Sequence, residues 1–239
     1  MQAIVLSRRD WREADQMITI YSRERGKLEL MARGVKKITS KNAAHLEPAT
    51  VGDIAIAAGR EIDHLTTART IEIFPVLRQT YEKSIAAQVL VALIDHLSKA
   101  GQADVRVFDF LHQSLFALER AERLFSWFID AFALRALALF GFAPALDACV
   151  ACGAKESSEW SLTVALGGRI CASCRCKPEM GATLDGSPEV RQGLEQLLTG
   201  VAPMDMAPKT EPEVHRFVYQ FLLFYSEKTF PDWARLFSL

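Results

Sequence analysis

The chain has 239 residues, half of them hydrophobic, with a formal net charge of −1, which supplies a sizeable core and excludes a uniformly basic nucleic-acid binder. The charge is uneven: residues 1–80 hold thirteen Lys and Arg against ten Asp and Glu, and the remainder fifteen against nineteen, an asymmetry that points to separate partners. At about 150 residues per domain the length predicts two domains, and the most apolar stretch, 127–146, is interrupted by Asp130 and Arg135 and fails as a membrane span.

In chain order, residues 3–6 and 17–21 are short apolar runs, the second β-branched, and both read as strands. Residues 7–15 between them read as a charged loop holding Arg8, Arg9 and Arg12 with one aromatic, Trp11. Gly26 supplies a positive φ to the turn after Tyr21. Residues 28–33 then alternate, with Leu28, Leu30 and Ala32 on one face, so the second and third strands make a hairpin. A loop over 34–45 contains Lys36, Lys37 and Lys41. Residues 50–57 and 62–73 are further strands around a turn at Ala58, Gly59 and Arg60, the latter long enough to break into two. Five short strands within the first 75 or so residues predict a small closed or nearly closed barrel, most simply of the OB-fold kind, over 1–78.

At Pro75 the period changes. Ile85, Val89, Leu93 and Leu97 recur every four residues beside Ala86, Leu90 and Ile94, in a helix ended by Gly101. Phe108, Leu111, Leu115 and Leu118 repeat the pattern. A third helix, 124–140, is apolar nearly all round: Phe125, Phe128, Phe132 and Leu139 line one side, Ile129, Leu137 and Phe140 the other. That predicts the central helix of a bundle, and Gly141 stops it. Ser187 and Pro188 open another helix as N-cap and first residue, closed by Gly200. After a connector over 201–209, Thr210 and Glu213 match a capping box. Val214, Phe217, Val218, Phe221, Leu222 and Tyr225 then stripe a last helix that returns to the bundle. The fold class is α+β: the barrel, then a helical domain over 79–239 with residues 147–177 inserted.

The inserted segment holds the sharpest local signal, Cys149-x-x-Cys152 and, after eighteen residues, Cys171-x-x-Cys174. Two such turns can close a tetrahedron of thiolates around one Zn²⁺ with no open position, a structural site. Buried free cysteines fit poorly in a polar, Gly-rich segment. Two disulfides fit poorly in a chain whose residues 1–10 lack the charged and apolar regions of a secretory signal, so that a cytoplasmic protein is expected. Cys176 is a fifth thiol, a spare ligand or a free surface group.

Enzymatic readings find little support. The chain has no Gly-x-x-x-x-Gly-Lys phosphate loop and no Gly-x-Gly-x-x-Gly. Of His45, His64, His96, His112 and His215 only His45 has a Glu two residues on, Glu47, and that pair stands about a hundred residues before the cysteines, so it makes a poor zinc-deaminase signature. Each histidine reads as isolated, and a four-sulfur site leaves no metal-bound water to activate. The basic hairpin says more. Arg23, Arg25, Lys27, Arg33, Lys36, Lys37 and Lys41 stand against only Glu24 and Glu29, and the preceding loop adds Arg8, Arg9 and Arg12. On a small barrel, the first loop and the hairpin can line one groove in which cations follow phosphates and Trp11 stacks on a base. The alternative is a solvated charged face with Trp11 packed under its loop.

These residues resemble a known family, the RecO recombination mediators of bacterial DNA repair. The similarity runs through Ala3-Ile-Val-Leu-Ser-Arg-Arg-Asp-Trp-Arg-Glu-Ala-Asp15, the Arg23-Glu-Arg-Gly-Lys27 turn, Ala32-Arg-Gly34 and Leu46-Glu-Pro48. It continues through Leu134-Arg135, Gly141-Phe-Ala-Pro144, Cys149-x-x-Cys-Gly153, Gly167-Gly168 and Cys171-x-x-Cys174. The motifs stand in family order and cover most of residues 3–177. Trp11 replaces the more usual Tyr, and the ending from Phe230 to Leu239 lacks the family's basic character.

The resemblance implies an N-terminal OB-fold, a helical domain with a four-cysteine zinc finger, and a role without catalysis or small-molecule substrate. That role is to bind single- and double-stranded DNA, anneal complementary strands and, with RecR, help RecA replace single-strand-binding protein, in the bacterial cytoplasm and at the nucleoid during repair. By position, the DNA contacts fall on Arg8, Arg9, Arg12, Arg23, Arg25, Lys27, Arg33, Lys36 and Lys37; Trp11 and Lys41 join them on charge and stacking grounds. Arg135 becomes the candidate partner of the acidic, apolar tail of single-strand-binding protein, or else pairs with Asp130 or Asp147 inside the bundle. A general single-strand binder or a zinc-stabilised adaptor is the competing function.

Overall fold

Strand β1 (Gln2–Asp10) buries Ala3, Ile4, Val5 and Leu6 in succession, so both of its faces are covered. Ala3 and Val5 face the barrel core with Ile18, Ile20, Leu30 and Ile54, and helix α2 (Tyr81–Leu97) packs on β1 from outside. The computed structural model describes residues 1–124, 126–177, 182–200, 209–230 and 233. Their contacts fall into two units, one from Met1–Leu124 with Phe230 and Trp233, the other within Phe125–Thr229.

In the first unit β1, β2 (Gln16–Ser22), β3 (Gly26–Ala32), β4 (Val51–Ala57) and β5 (Asp63–Glu72) close a barrel in the order β1-β2-β3-β5-β4. The β3–β5 pair is parallel and the others antiparallel. This is the expected OB-like barrel, with two local corrections. Residues 7–10, expected in a loop, extend β1, because a register shift between Val5 and Ser7 lets the strand keep pairing with β2 out to Asp10–Gln16. The last strand, expected to break, runs unbroken, since two register shifts against β4 take up its curvature. Gly26 has φ +69°, and a Cβ there would stand 2.1 Å from the Gln102 carbonyl oxygen, so the hairpin turn requires glycine on conformation and on space.

Helix α1 (Pro75–Gln79), α2 and α3 (Val105–Arg120) group with the barrel in this division. The α2 helix ends at Leu97 with Ser98 as its cap, short of the expected stop at Gly101, whose φ of +72° belongs to the turn that follows. Asp104 caps α3, its side chain accepting from the Arg106 N–H.

The second unit packs α4 (Ser126–Leu139) against α6 (Pro188–Thr199) and α7 (Thr210–Ser226). The α4 helix buries Ile129, Asp130, Phe132, Ala133, Leu134, Ala136 and Leu137, the wide buried surface expected of a central helix. Ser187 and Gly200 cap α6 as expected, Gly200 at φ +78°. The capping box at Thr210 does not form: Lys209 holds the N-cap position without a side-chain bond, Thr210 is already helical and buried, and Glu213 pairs with Arg216 at 3.4 Å. Between α4 and α6 lie β6 (Trp160–Thr163), β7 (Gly168–Cys171), the single turn α5 (Ala172–Arg175) and β8 (Thr183–Asp185), a sheet of order β7-β6-β8 that the sequence reading did not anticipate. The expected connector at 201–208, Phe125 and residues 234–239 lie outside the described residues. Among the described residues no helix is long and apolar enough to cross a membrane.

Candidate nucleic-acid interface and metal centre

At one end of the barrel the β1–β2 loop and the segment after β3 are pinned together. The Lys36 N–H donates to the Ala14 carbonyl at 3.1 Å, the Gly34 N–H donates to Asp15 Oδ1 at 2.7 Å, and Lys36 Nζ meets Asp10 at 2.7 Å. This pinning gathers Arg8, Arg9, Trp11, Arg12, Arg33, Lys36 and Lys37 at one end, all exposed, with Lys41 exposed farther along the same segment. Lys36 holds the Asp10 carboxyl below its ordinary pKa through their hydrogen bond, so the pair stays ionised. Arg8 is bound to Glu47 at 2.7 Å and Arg9 to Glu29 at 3.7 Å; the Arg9 guanidinium also lies 5.9 Å from the Trp11 ring centre. Arg33 contacts His64 at 3.4 Å. No ion pair to Arg12, Lys37 or Lys41 occurs among the described residues.

The hairpin turn is elsewhere. The β2–β3 strands are seven residues each, about 20 Å at 3.4 Å per residue, so Arg23, Arg25 and Lys27 stand at the opposite end of the hairpin. All three are engaged: Arg23 with Asp109 at 2.7 Å, Arg25 with Asp63 at 3.4 Å, and half-buried Lys27 with Asp95 at 2.6 Å. The single groove expected from the first loop and the hairpin is therefore two separate clusters, because the length of the strands, about 20 Å, lies between them.

In the second unit the four paired cysteines converge. Their Sγ atoms all lie within 4.8 Å of one another, with Cys152 and Cys171 at 3.7 Å. All five thiols, Cys176 included, are unbridged, and Cys149, Cys171 and Cys174 are buried around Ile170. The first pair sits on a turn closed by the Gly153 N–H donating to the Cys149 carbonyl at 2.8 Å, with Gly153 at φ +76°. The second pair joins the end of β7 to α5. Burial alone would raise the Cys149 thiol, but the backbone N–H groups of Cys171, Ala151 and Cys152 aimed at its sulfur bring it to about 6. The Cys174 thiol, hydrogen-bonded to Cys152 and further disfavoured as a thiolate by burial, is pushed up to about 12. The arrangement can hold one metal ion through four thiolates.

Arg135 lies half-buried on α4 against Gly200, where a Cβ would come within 3.0 Å of its Nη1. The two acids proposed as its structural partners have other contacts: Asp130 is bound to His215 at 2.8 Å, and Asp147 stands 3.9 Å from Arg191. The histidines, expected to be isolated, are engaged: His215 joins Asp130, His112 meets Glu72 at 2.6 Å and His45 meets Thr70 at 2.8 Å. Such pairings join residues far apart in the chain and leave no local sequence signal. Two further residues carry no signal in the sequence: Arg169, buried with its guanidinium 3.7 Å from the Trp160 ring centre, and Ile38, fully exposed beside Lys37.

An OB-like barrel with a basic end, followed by a helical unit that presents four convergent thiols, defines the class of protein. Comparison with known sequences specifies it further: residues 1–74 match the family model described as Recombination protein O N terminal and residues 78–234 the one described as Recombination protein O C terminal. Similar relatives are the DNA repair protein RecO of Nocardioides sp., 32% identical across 83% of this chain and 82% of its own, and that of Frankia casuarinae, 35% identical across 73% and 72%. A third, from Rubrobacter xylanophilus, is 33% identical across 73% and 70%. The chain belongs to the RecO family of DNA repair proteins.

Proposed function

We propose that this chain is a non-catalytic mediator of recombinational repair in the bacterial cytoplasm and at the nucleoid. It binds single- and double-stranded DNA through the barrel, residues 1–78, anneals complementary strands, and acts with RecR to let RecA replace single-strand-binding protein. One observation carries the reading: Arg8, Arg9, Arg12, Arg33, Lys36 and Lys37 gather with Trp11 at one end of the barrel, where the loops are pinned to each other. Cations there neutralise phosphates, and the exposed indole offers a stacking face that tolerates any base. Arg23, Arg25 and Lys27 contribute less, since they stand about 20 Å away at the other end of the hairpin and Lys27 is half-buried against Asp95.

The metal is Zn²⁺ and its role is structural. A sulfur tetrahedron around zinc at about 2.3 Å has edges near 3.8 Å, and the 3.7 Å between Cys152 and Cys171 supports that size. Bound zinc supplies a four-way crosslink that holds the β7–α5 corner to the 149–153 turn.

The test is annealing of complementary oligonucleotides coated with single-strand-binding protein, with the wild type and with Lys36→Ala/Lys37→Ala. The proposal expects rapid annealing and a loss of about tenfold or more in the double variant. Coated strands that anneal no faster with the wild type than without it would leave a general DNA binder or an adaptor.

A further inference from the structure

Ile38 is the most exposed large apolar residue described, at 105% of its reference area, and Trp11 is 48% exposed. Isolated exposed apolar side chains are ordinary on protein surfaces, so exposure alone says nothing. The setting of Ile38 is what distinguishes it. It follows Lys36 and Lys37 directly and precedes Lys41. Its segment is fastened to the loop bearing Trp11 by the Lys36–Ala14 and Gly34–Asp15 bonds and by the Lys36–Asp10 pair. The Lys37 N–H donates to the Gly34 carbonyl at 3.1 Å and the Ser40 N–H to the Lys37 carbonyl at 2.9 Å, so consecutive turns hold Ile38 out at their crest.

A branched apolar side chain held in water among cations is poorly placed for a protein partner's acidic surface, which would leave it unburied against charge. A polyanion that also has large apolar faces satisfies both features, and DNA with unpaired bases is such a polymer. We infer that Ile38 is a wedge that enters between neighbouring bases of a single strand while Trp11 stacks on one of them. The occupant is single-stranded DNA, whose bases separate at little cost, whereas a duplex must be unstacked at a few kcal/mol per step. This rests on the DNA-binding reading and deepens it: the basic end grips the backbone, and the two apolar side chains hold the bases apart, as a strand being offered to its complement requires.

The experiment uses a single-stranded oligonucleotide containing 2-aminopurine, whose fluorescence rises when its base is unstacked, together with the salt dependence of affinity. Wild type, Ile38→Ser and Trp11→Ala are compared. The inference expects a several-fold rise on binding the wild type and loss of most of it in both variants. The slope of log K against log salt should stay near −3 in all three, the value for about four phosphates at about −0.7 each on a single strand. Because Ile38 makes no buried contact, Ile38→Ser should fold as the wild type does. A wild type that binds with the expected slope but without fluorescence change, or an Ile38→Ser variant that keeps the full rise, overturns the wedge and leaves the phosphate reading standing. A wild type with no salt-dependent binding overturns both.

Discussion

The Asp130 carboxylate of α4 and the His215 imidazole of α7 meet with both side chains buried, Nδ1 standing 2.8 and 3.0 Å from the two carboxylate oxygens. Burial raises the Asp130 pKa above the usual carboxylate value, and the bond to His215 only partly opposes it. A raised folded-state pKa means stability that is complete below the unfolded value, about 4 for Asp, and is lost as pH rises through the folded-state value. Asp130→Asn keeps an acceptor for the imidazole without that cost, so the variant should gain on the wild type as pH rises from about 4 towards neutrality, read as the difference in Tm. Asp130→Ala, which removes the acceptor, should destabilise by about 3 kcal/mol in denaturant titration.

The cysteine cluster predicts that one zinc per chain accompanies the purified protein and that a strong chelator lowers Tm. Metal binding to sites absent from the unfolded chain is folding free energy, so loss of a ligand should destabilise by several kcal/mol. Cys149→Ser and Cys174→Ser, whose side chains are buried in the cluster, should each lose the metal. Cys176, exposed and outside the four-sulfur group, should be replaceable by Ser with metal content and Tm unchanged. Elemental analysis beside thermal melts reads both; retention of full metal by Cys174→Ser would contradict the assignment.

The two basic clusters predict different phenotypes. Lys36→Ala/Lys37→Ala should lower single-strand affinity about tenfold and flatten the salt slope by about 1.5, since two phosphate contacts go, with Tm nearly unmoved because both side chains are exposed. Lys27→Met should do the reverse. Its ammonium is half-buried against Asp95, which also accepts from Ser7 Oγ at 3.0 Å, so the variant should lose about 1 kcal/mol of stability while the salt slope holds. Slopes in both variants equal to that of the wild type would show that neither cluster is the phosphate track.

What could be read in the sequence follows the range of the interactions. Short apolar runs placed the first two strands, alternation placed the third, and helical periodicity placed Phe108–Leu118 and Val214–Tyr225, because all three patterns are local. The Cys-x-x-Cys pairs were legible for the same reason. The β6–β7–β8 sheet was not, since its strands are three or four residues long and gain order from the packing around the sulfurs rather than from their own pattern. Nor was the separation of Arg23–Lys27 from Lys36: adjacency along a hairpin suggests one surface, and only strand length and direction set the two ends apart. Asp130, a candidate partner for nearby Arg135 on sequence, instead finds His215, eighty-five residues away.

Arg135 and Gly200 yield the last prediction. The guanidinium packs where α6 ends, and a methyl group at position 200 would meet it at 3.0 Å while being held at φ +78°, a conformation that favours glycine. Gly200→Ala should therefore cost about 1 kcal/mol and displace Arg135 without removing its charge. If the guanidinium binds the acidic, apolar tail of single-strand-binding protein, Arg135→Ala should weaken a tail peptide tenfold or more in a fluorescence titration. Gly200→Ala should weaken it less, and Arg135→Lys should restore part of the affinity because a charge remains. If Arg135 only closes the end of α6, favoured there by the helix dipole, all three variants should shift Tm and leave the peptide's affinity where it was. The peptide titration, run on variants whose melts remain cooperative, separates the two roles.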